Sequence, residues 1–592
     1  MTNRRSLHHD LKLGGMADAA ALSALGAAAL MTNPYIAGNP LAMAGLAGAG
    51  GAWLGHRVIK SVLKGHSLDS AIKVGSHIPG AIGGTDKALL GYATDTGLPL
   101  MIPDVENYAH RFIIGQSGVG KTTLLNLLMF QQMQRGGGIF AMNGKLDDED
   151  LQMFYRMARW CGREKDILVL NPGNPAVSNT YNPILYGDPD EVSARILSLI
   201  PSTESSAGAD YYKQSANQGI ATLVAALKAA KYAYNFMDLT ILLLSPKALE
   251  FLNLMVRQRA HKSQELLNLE LFISQFRTQS RIGTMEIDMK KLKDVFGGMG
   301  SRMFMFATNQ FGQVMNDYAP ELRLEDALRQ KKLVYVMLPT LGKDIAANNL
   351  GKLVVADYRT ALSWIQALPK SSRPVPYTLA SFDEAGSYIT ETFNRIFEQV
   401  RTAHQMLTIG VQTVANLEAI TEELREMVLG NTWLKIMFKI GTPESAEKMA
   451  QIIGEQKNVM WSLGETGSSG RSGATADGMP DSSATQGVNV GRTGRQEIGW
   501  RVDPTKLAAL DRGEALVLRG GKNLYSLRIP QIEFTKEFIE ESGKFEVNRF
   551  RMPRAGGIDL YSHINDFLDS ETRSALENES RSKSGKKSET GA

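Results

Sequence analysis

The chain has 592 residues, of which 43% are hydrophobic and 21% are charged, and its formal net charge at pH 7 is +4. This length allows about three or four domains of ~150 residues each. The small net charge excludes recognition of nucleic acid by global charge alone. Any DNA affinity must therefore come from local patches or from a ring of several copies. The single cysteine, Cys161, excludes a disulfide framework within the chain and a cysteine-cluster metal site, and its helical surroundings predict a small core residue.

The first domain, residues 1–65, is predicted to be a membrane hairpin. Residues 19–55 contain no charged side chain, and Pro34 and Pro40 divide them into two halves, each extendable to the ~17 to 20 residues that cross a bilayer. Basic residues lie on both sides, so both flanks are predicted to be cytoplasmic. A soluble alanine-rich hairpin is the alternative that Asp18 favours, whereas a signal peptide is disfavoured because the apolar region continues into a second segment.

A phosphate-binding loop is predicted directly after an apolar strand at residues 112–114. Residues 115–122 read G-x-x-x-x-G-K-T and a helix-forming run follows, an order that argues against a chance glycine loop. Glycines let the backbone wrap around a polyphosphate, and the positive end of the next helix faces the anion. Lys121 is predicted to reach the β- and γ-phosphates of ATP, and the Thr122 hydroxyl to bind Mg²⁺. The predicted nucleotide-binding residues are Gly115, Gln116, Ser117, Gly118, Val119, Gly120, Lys121, Thr122 and Thr123.

Alternating strands and helices around this loop predict a parallel sheet that is covered on both faces. In the first part of this nucleotide-binding domain, residues 66–190, a hairpin over 86–103 leads into the loop. Strands follow at 138–145 and 167–172, with a crossover helix at 149–162 between them.

From residue 191 to 325 the periodicity becomes continuously helical, which predicts an inserted all-α domain. Its basic side chains, interspersed with aromatic residues, either follow a nucleic-acid backbone or form an ordinary solvated face. They are Arg257, Arg259, Lys262, Arg277, Arg281, Lys290, Lys291 and Lys293.

The second part of the nucleotide-binding domain is predicted over residues 326–535. Within it, residues 377–384 form a mostly apolar strand that ends in two acids. Asp383 is predicted to hold the Mg²⁺ shell and Glu384 to polarise the attacking water. The alternative is a buried strand with an exposed acidic end.

Further elements of this second part are predicted in the same way. Residues 464–494 are rich in glycine, serine and threonine and predict a mobile excursion. Residues 536–592 form a C-terminal extension whose tail, from about 571, is predicted to be disordered. The other predicted elements are strands at 332–339, 406–413 and 434–440, helices at 346–362, 391–402 and 442–454, and a hairpin at 514–529.

In this order, the elements resemble a type IV coupling protein of the TraD/TraG group, conjugation and secretion ATPases within the wider FtsK/HerA set. The resemblance covers roughly residues 15–535 and implies a RecA-like P-loop NTPase core with an inserted all-α domain and an N-terminal two-helix transmembrane hairpin. It rests on the two-span hairpin, the phosphate loop, Asn179-Thr180-Tyr181-Asn182-Pro183, the helical insertion, Phe382-Asp383-Glu384-Ala385-Gly386, and a strand that ends in glutamine.

The resemblance adds two residues to Glu384 as predicted catalytic residues. Arg401 stands where relatives have an arginine that acts from the neighbouring subunit. Gln412, at the end of a predicted strand, would read the γ-phosphate state of the nucleotide. The alternative for Arg401 is a pair with Glu398 on its own helix. Where relatives often have an acid before Gly-Lys, this chain has Asn143, so no role is predicted for that position.

The resemblance also implies a function. It predicts an ATP hydrolase that forms a homo-hexameric ring at the bacterial inner membrane, with most of the chain in the cytoplasm. This ring would couple the relaxosome, single-stranded DNA with its attached relaxase, to a type IV secretion channel and drive DNA transfer in conjugation. The residues alone support a membrane-anchored ATPase with a helical lobe. They leave open a receptor that recruits protein substrates to the channel, and a double-stranded DNA translocase.

Overall fold

A computed structural model describes residues 71–74, 82, 84–200, 207–279, 284–390, 393–470, 485–550 and 556–567. The predicted membrane hairpin and the predicted disordered tail lie outside these residues. Among the helices described, none is by itself long and apolar enough to cross a membrane. One pair passes that test together, Phe236–Leu244 with Pro246–Arg259, and it is bent by 113° at the break.

The described strands are short and mostly buried. In chain order they are β1 Ala71–Val74, β2 Lys87–Ala93, β3 Pro99–Pro103, β4 Arg111–Ile114, β5 Ile139–Asn143, β6 Ile167–Leu170, β7 Arg277–Gln279, β8 Met285–Ile287, β9 Leu333–Met337, β10 Thr378–Asp383, β11 Gln405–Val411, β12 Leu434–Met437, β13 Glu455–Gly470, β14 Thr485–Trp500, β15 Glu514–Arg519, β16 Asn523–Arg528 and β17 Gln531–Phe534.

The described helices alternate with the strands in the core and follow one another in the insertion. In chain order they are α1 Asp104–Asn107, α2 Lys121–Gln134, α3 Asp148–Trp160, α4 Pro189–Leu197, α5 Ala207–Ala229, α6 Phe236–Leu244, α7 Pro246–Arg259, α8 Gln264–Ser274, α9 Met289–Ala307, α10 Asn309–Met315, α11 Leu324–Arg329, α12 Asp344–Ala367, α13 Asn394–Gln399, α14 Ala415–Glu418, α15 Glu422–Asn431, α16 Pro443–Ile453, α17 Pro504–Ala508, α18 Lys536–Ser542 and α19 Ile564–Phe567.

Within the described ranges, the core is an eleven-stranded mixed sheet of order β3-β2-β16-β15-β12-β4-β11-β10-β5-β9-β6. The seven strands from β12 to β6 are parallel, and an antiparallel group from β15 to β3 extends the other side. The parallel strands are buried along their whole length, as expected for apolar runs with helices on both faces. The predicted α/β core is therefore confirmed.

Strand order decides where a ligand can bind. After β4 the chain re-enters the sheet at β5, and β11 and β10 fill the two positions between them. All four strands are parallel, so their carboxyl ends lie along one edge of the sheet. A crevice forms at such an edge where successive connections leave in different directions.

The insertion is predominantly helical, but the all-α prediction for it is wrong in one place. Strands β7 and β8 form a two-stranded antiparallel ribbon between α8 and α9. The ribbon is too short to show an alternating apolar pattern, and two of the three residues of β8 are exposed. The sequence therefore shows only the helical periodicity of the segments on either side of the ribbon.

Two of the basic residues predicted to contact nucleic acid have partners within the insertion. Arg257 forms an ion pair of 2.7 Å with Glu270, and the Arg259 guanidinium lies 3.9 Å from the centre of the Tyr232 ring. Lys290, Lys291 and Lys293 are exposed at the start of α9, and Arg281 lies outside the described residues.

The glycine-rich excursion predicted over 464–494 is also corrected. Strands β13 and β14 form a long antiparallel ladder that pairs Glu455 with Trp500 and Gly470 with Thr485. An antiparallel ladder is built from main-chain groups, which glycine and serine supply as well as any other residue. Composition alone therefore gave the wrong result for 464–470 and 485–494.

The C-terminal extension returns to the core and to the insertion. The Tyr155 hydroxyl donates to the Ser542 carbonyl (3.0 Å). Further along, Glu321, which precedes α11 at the end of the insertion, accepts three hydrogen bonds from two segments of the chain. Its Oε2 accepts from the Asn179 side chain (3.0 Å), from the Thr180 amide (3.1 Å) and from Arg549 (3.2 Å). Residues 536–550 of the extension are called the C-terminal arm, and the arm contacts both connections between core and insertion.

Candidate nucleotide-binding and hydrolysis site

The loop between β4 and α2 has the backbone geometry of a phosphate cradle. Gly118 and Gly120 have φ angles of +76° and +113°, in the region that glycine occupies without strain. Gly115 is required for space, because a Cβ there would lie 2.6 Å from the Cβ of Phe438. The loop sits where the sequence predicts it, and α2 begins at Lys121 directly after Gly120.

Residues next to strands β12 and β15 anchor the loop through main-chain hydrogen bonds. The Gln116 amide donates to the Lys439 carbonyl (2.9 Å), and the Gly513 amide donates to the Val119 carbonyl (2.8 Å). The Leu124 amide bonds the Gly120 carbonyl (3.1 Å) and starts the helical ladder. The amide groups in the first turn of a helix have no partner within the helix, and these groups together with the helix dipole favour an anion.

Lys121 is held at the centre of the loop. Its Nζ donates to the Gly115 carbonyl and to the Gln116 carbonyl (3.1 Å), and only 7% of the residue is exposed. Burial lowers the pKa of Lys121, and the charge of Asp383 opposes that shift. The ammonium group therefore lies near enough to the acid pair to be influenced by both carboxylates.

Asp383 is the last residue of β10 and is buried, with 6% exposure. Its carboxylate lies over β11, where a Cβ at Gly410 would come within 2.9 Å of the Asp383 Oδ1. Burial raises the pKa of Asp383, and the charge of Lys121 opposes that shift. Gly410 is therefore a site residue that sequence reasoning missed, although a glycine inside a strand signals a close approach.

The residues present fit a Mg²⁺ ion. In the part of the chain that the structure describes, no Lys or Arg nitrogen lies within ion-pair distance of the buried Asp383 carboxylate. Its Oδ1 accepts the Glu384 amide at 3.0 Å, and a nearby cation would compensate the remaining charge. Thr122 lies in the first turn of α2 and offers a hydroxyl. Among the described residues, no group of three or more His, Cys, Asp or Glu side chains is arranged to hold a metal ion by itself. Mg²⁺ does not need such a group, because it keeps water and phosphate ligands.

Glu384 leaves the strand in a strained conformation and lies between two donors. Its φ of +55° is in the left-handed region, which costs a non-glycine residue on the order of 1 kcal/mol. Its Oε1 accepts from Nε2 of Gln412 (3.1 Å) and lies 2.8 Å from Nζ of Lys145. The structure therefore brings Glu384 and Gln412 together with Lys121 and Asp383.

Arg401 lies elsewhere. It is exposed and precedes β11, whereas Gln412 follows that strand. Seven strand residues span roughly 20 Å, so Arg401 lies at the opposite edge of the sheet and does not reach the site of its own subunit. Its predicted action in a neighbouring subunit stays a prediction. The side chain of Glu398, its alternative partner, lies outside the described set.

The turn after β5 supplies the second group that sequence reasoning missed. Asn143 uses its Oδ1 to accept the Lys145 amide (3.1 Å) and its Nδ2 to donate to Asp150 (3.4 Å). Asn143 therefore shapes the turn that presents Lys145 to Glu384. The signal that could have identified Lys145 in the sequence is its position just after a predicted strand, at the edge of the sheet where the other parallel strands end.

Comparison with known proteins agrees with this geometry. A family model described as "TraM recognition site of TraD and TraG" matches residues 378–490, which include Asp383, Glu384, Arg401 and Gln412. The Type 4 coupling protein DotL of Legionella pneumophila is 24% identical over 398 residues, which is 59% of this chain and 49% of DotL. The chain is a relative of the type IV coupling proteins. The resemblance predicted from its sequence is thereby confirmed.

This coupling-protein relative also shares a fold with a solved member of the group. The structure described as "Plasmid coupling protein TrwB in complex with ADP and Mg2+" aligns with a TM-score of 0.50, and the match covers 76% of this chain and 90% of that one. At 14% identity the likeness shows the fold alone. The chain spans about half the length of the curated relative it matches.

Proposed function

We propose that this coupling-protein relative is a Mg²⁺-dependent ATP hydrolase. The convergence of Lys121 with Asp383 and Glu384 at one edge of the sheet carries the proposal. A buried ammonium can bind phosphate, a buried carboxylate that has no ion-pair partner among the described residues can hold Mg²⁺, and a second carboxylate can act on water. The open amide groups of the loop add the anion site.

Each residue then has a distinct role. Lys121 and the loop amides bind the β- and γ-phosphates, and Thr122 with Asp383 would hold Mg²⁺, which neutralises developing charge. Glu384 takes a proton from water, whose oxygen bonds the γ-phosphorus while the electron pair of the broken P–O bond leaves on ADP. Gln412 contacts Glu384 and so links γ-phosphate state to strand β11.

The hydrolysis is proposed to serve substrate coupling in a type IV secretion system. The family match and the DotL relationship support this role. We assign to it the transfer of single-stranded DNA with its relaxase, in a homo-hexamer attached to the bacterial inner membrane by the hairpin at 1–65. Cysteine labelling tests the hairpin. A cysteine that replaces Tyr35 should react with a periplasm-restricted thiol reagent, and a cysteine that replaces Ser6 should not.

ATPase measurements on the full-length protein test the function. We expect Mg²⁺-dependent hydrolysis that single-stranded DNA stimulates more than double-stranded DNA does. Stimulation by double-stranded DNA alone would favour a duplex translocase, and hydrolysis that no DNA stimulates would favour a receptor for protein substrates. A pure protein that binds ATP and never hydrolyses it would overturn the proposal.

A further inference from the structure

The turn that carries Lys145 is not used by the nucleotide-binding residues, yet it lies against the acid pair. Nζ of Lys145 is 2.8 Å from Oε1 of Glu384. The side-chain amide of Gln412 donates through Nε2 to that same oxygen at 3.1 Å. Two donors therefore converge on one carboxylate oxygen, which leaves the other oxygen, Oε2, without either of them.

The second oxygen, Oε2, lies beside the Gly144 backbone. A Cβ at Gly144 would lie 3.2 Å from the Glu384 Oε2 and 3.3 Å from the Glu384 Cβ, so the glycine lets the carboxylate approach the turn. The turn itself is fixed, because the Gly144 carbonyl accepts the Thr340 hydroxyl and Asn143 accepts the Lys145 amide (3.1 Å). Lys145 is thus presented by a braced backbone.

We propose that Lys145 is a positioning residue for hydrolysis: with Gln412 it holds Oε1 of Glu384, so that Oε2 faces the attacking water and accepts its proton. This inference rests on the proposed ATP hydrolysis. Side-chain entropy would otherwise let the glutamate sample several rotamers, and two charge-assisted or amide donors on one oxygen restrict it to one.

A direct phosphate contact is the competing role for Lys145. Lys121 already occupies the loop, whereas 48% of the Lys145 side chain is exposed and its ammonium is paired with a carboxylate. Burial acts to lower the pKa of Lys145, but the hydrogen bond and charge of Glu384 outweigh it and the pKa is raised. The pair geometry therefore favours positioning.

Turnover and nucleotide affinity measured together test the role. We expect Lys145→Ala to lower kcat by about 10- to 100-fold, the order caused by a misplaced catalytic group, with the KM for ATP and the Kd for a fluorescent ADP unchanged within about twofold. Lys145→Arg should recover most of the rate, because it restores a cation at the same carboxylate. Lys343→Ala is the matched control, since Lys343 follows the adjacent strand β9 and bonds Gln310 instead.

A double-mutant comparison separates the roles. In a Glu384→Gln background, Lys145→Ala should cause no further loss of turnover, because the carboxylate that it positions is gone. A tenfold rise in the Kd for fluorescent ADP would overturn the proposal in favour of phosphate binding, and an increase in kcat would overturn it in favour of an inhibitory pair. The parent protein's own hydrolysis rate tests the proposed function separately.

Discussion

Gln412 donates a 3.1 Å hydrogen bond to Glu384, and so joins the ends of two adjacent strands at the edge where Lys121 lies. The two residues are 28 positions apart in sequence. Gln412 directly follows β11, which lies between the loop strand β4 and the acid strand β10. A shift of β11 would therefore be transmitted directly to Glu384.

Replacement of Gln412 should therefore affect turnover more than binding. We expect Gln412→Ala to lower kcat by about tenfold or more, since the carboxylate loses one of two restraints, while fluorescent ADP binds with the parent affinity. Gln399→Ala, an exposed glutamine on α13 far from this edge, should have the parent rate. Loss of affinity for a non-hydrolysable ATP analogue in Gln412→Ala would instead place this residue among the phosphate contacts.

Binding and hydrolysis should separate at Lys121 and Glu384. Lys121→Ala is expected to weaken ATP binding, because it removes the ammonium held by the loop carbonyls. Glu384→Gln should retain ATP while turnover falls by about 10²-fold or more, as when a general base is lost. Equilibrium binding and steady-state hydrolysis on the same preparations measure both effects. Hydrolysis at the parent rate in Glu384→Gln would show that the acid strand was misassigned.

Arg401 is predicted to act across a subunit boundary. It is exposed at the edge opposite the phosphate loop, so it cannot serve its own site. An arginine that neutralises charge on the transferring phosphoryl group contributes about 10³-fold or more in rate. Arg401→Ala and Lys121→Ala should each be inactive, and mixing them should restore activity through hybrid sites. An Arg401→Ala protein with full activity by itself would end the idea.

His110 should make stability depend on pH. Burial lowers its pKa to about 4, helped by the charges of Arg111 and Arg401, and its Nδ1 accepts the Leu407 amide at 3.1 Å. The folded protein therefore resists protonation that the unfolded chain accepts below pH 6.5, so the stability present above pH 6.5 is lost as pH falls through 4. A shift of that size is worth roughly 3 kcal/mol.

Urea unfolding of the full chain between pH 7 and pH 4.5 checks this expectation. His110→Gln should show a smaller loss of midpoint over that range than the parent does, because glutamine does not titrate. The His404→Gln variant, which changes a less buried histidine of the same region, is the control. Equal pH dependence in the parent and in His110→Gln would contradict the assignment.

Sequence reasoning found the parts of the site that are local in sequence. The predicted nucleotide-binding residues are nine consecutive positions, and Asp383 and Glu384 are neighbours at the end of one strand. A short stretch of sequence was therefore enough to identify each group. Lys145, Gly410 and Gly513 were missed because their roles depend on which strands become neighbours, and strand order is set by packing of the whole sheet. Composition also failed for the β13–β14 ladder, where main-chain pairing needs no apolar pattern.

The contacts of Glu321 make the C-terminal arm a mechanical link. This carboxylate joins Asn179, Arg549 and the amide of Phe550 (2.8 Å), so tension applied to the arm reaches the root of the insertion before it reaches the sheet. A partner bound to the C-terminal arm would therefore act first on the base of the helical insertion, and a movement of the insertion would in turn displace whatever the arm carries.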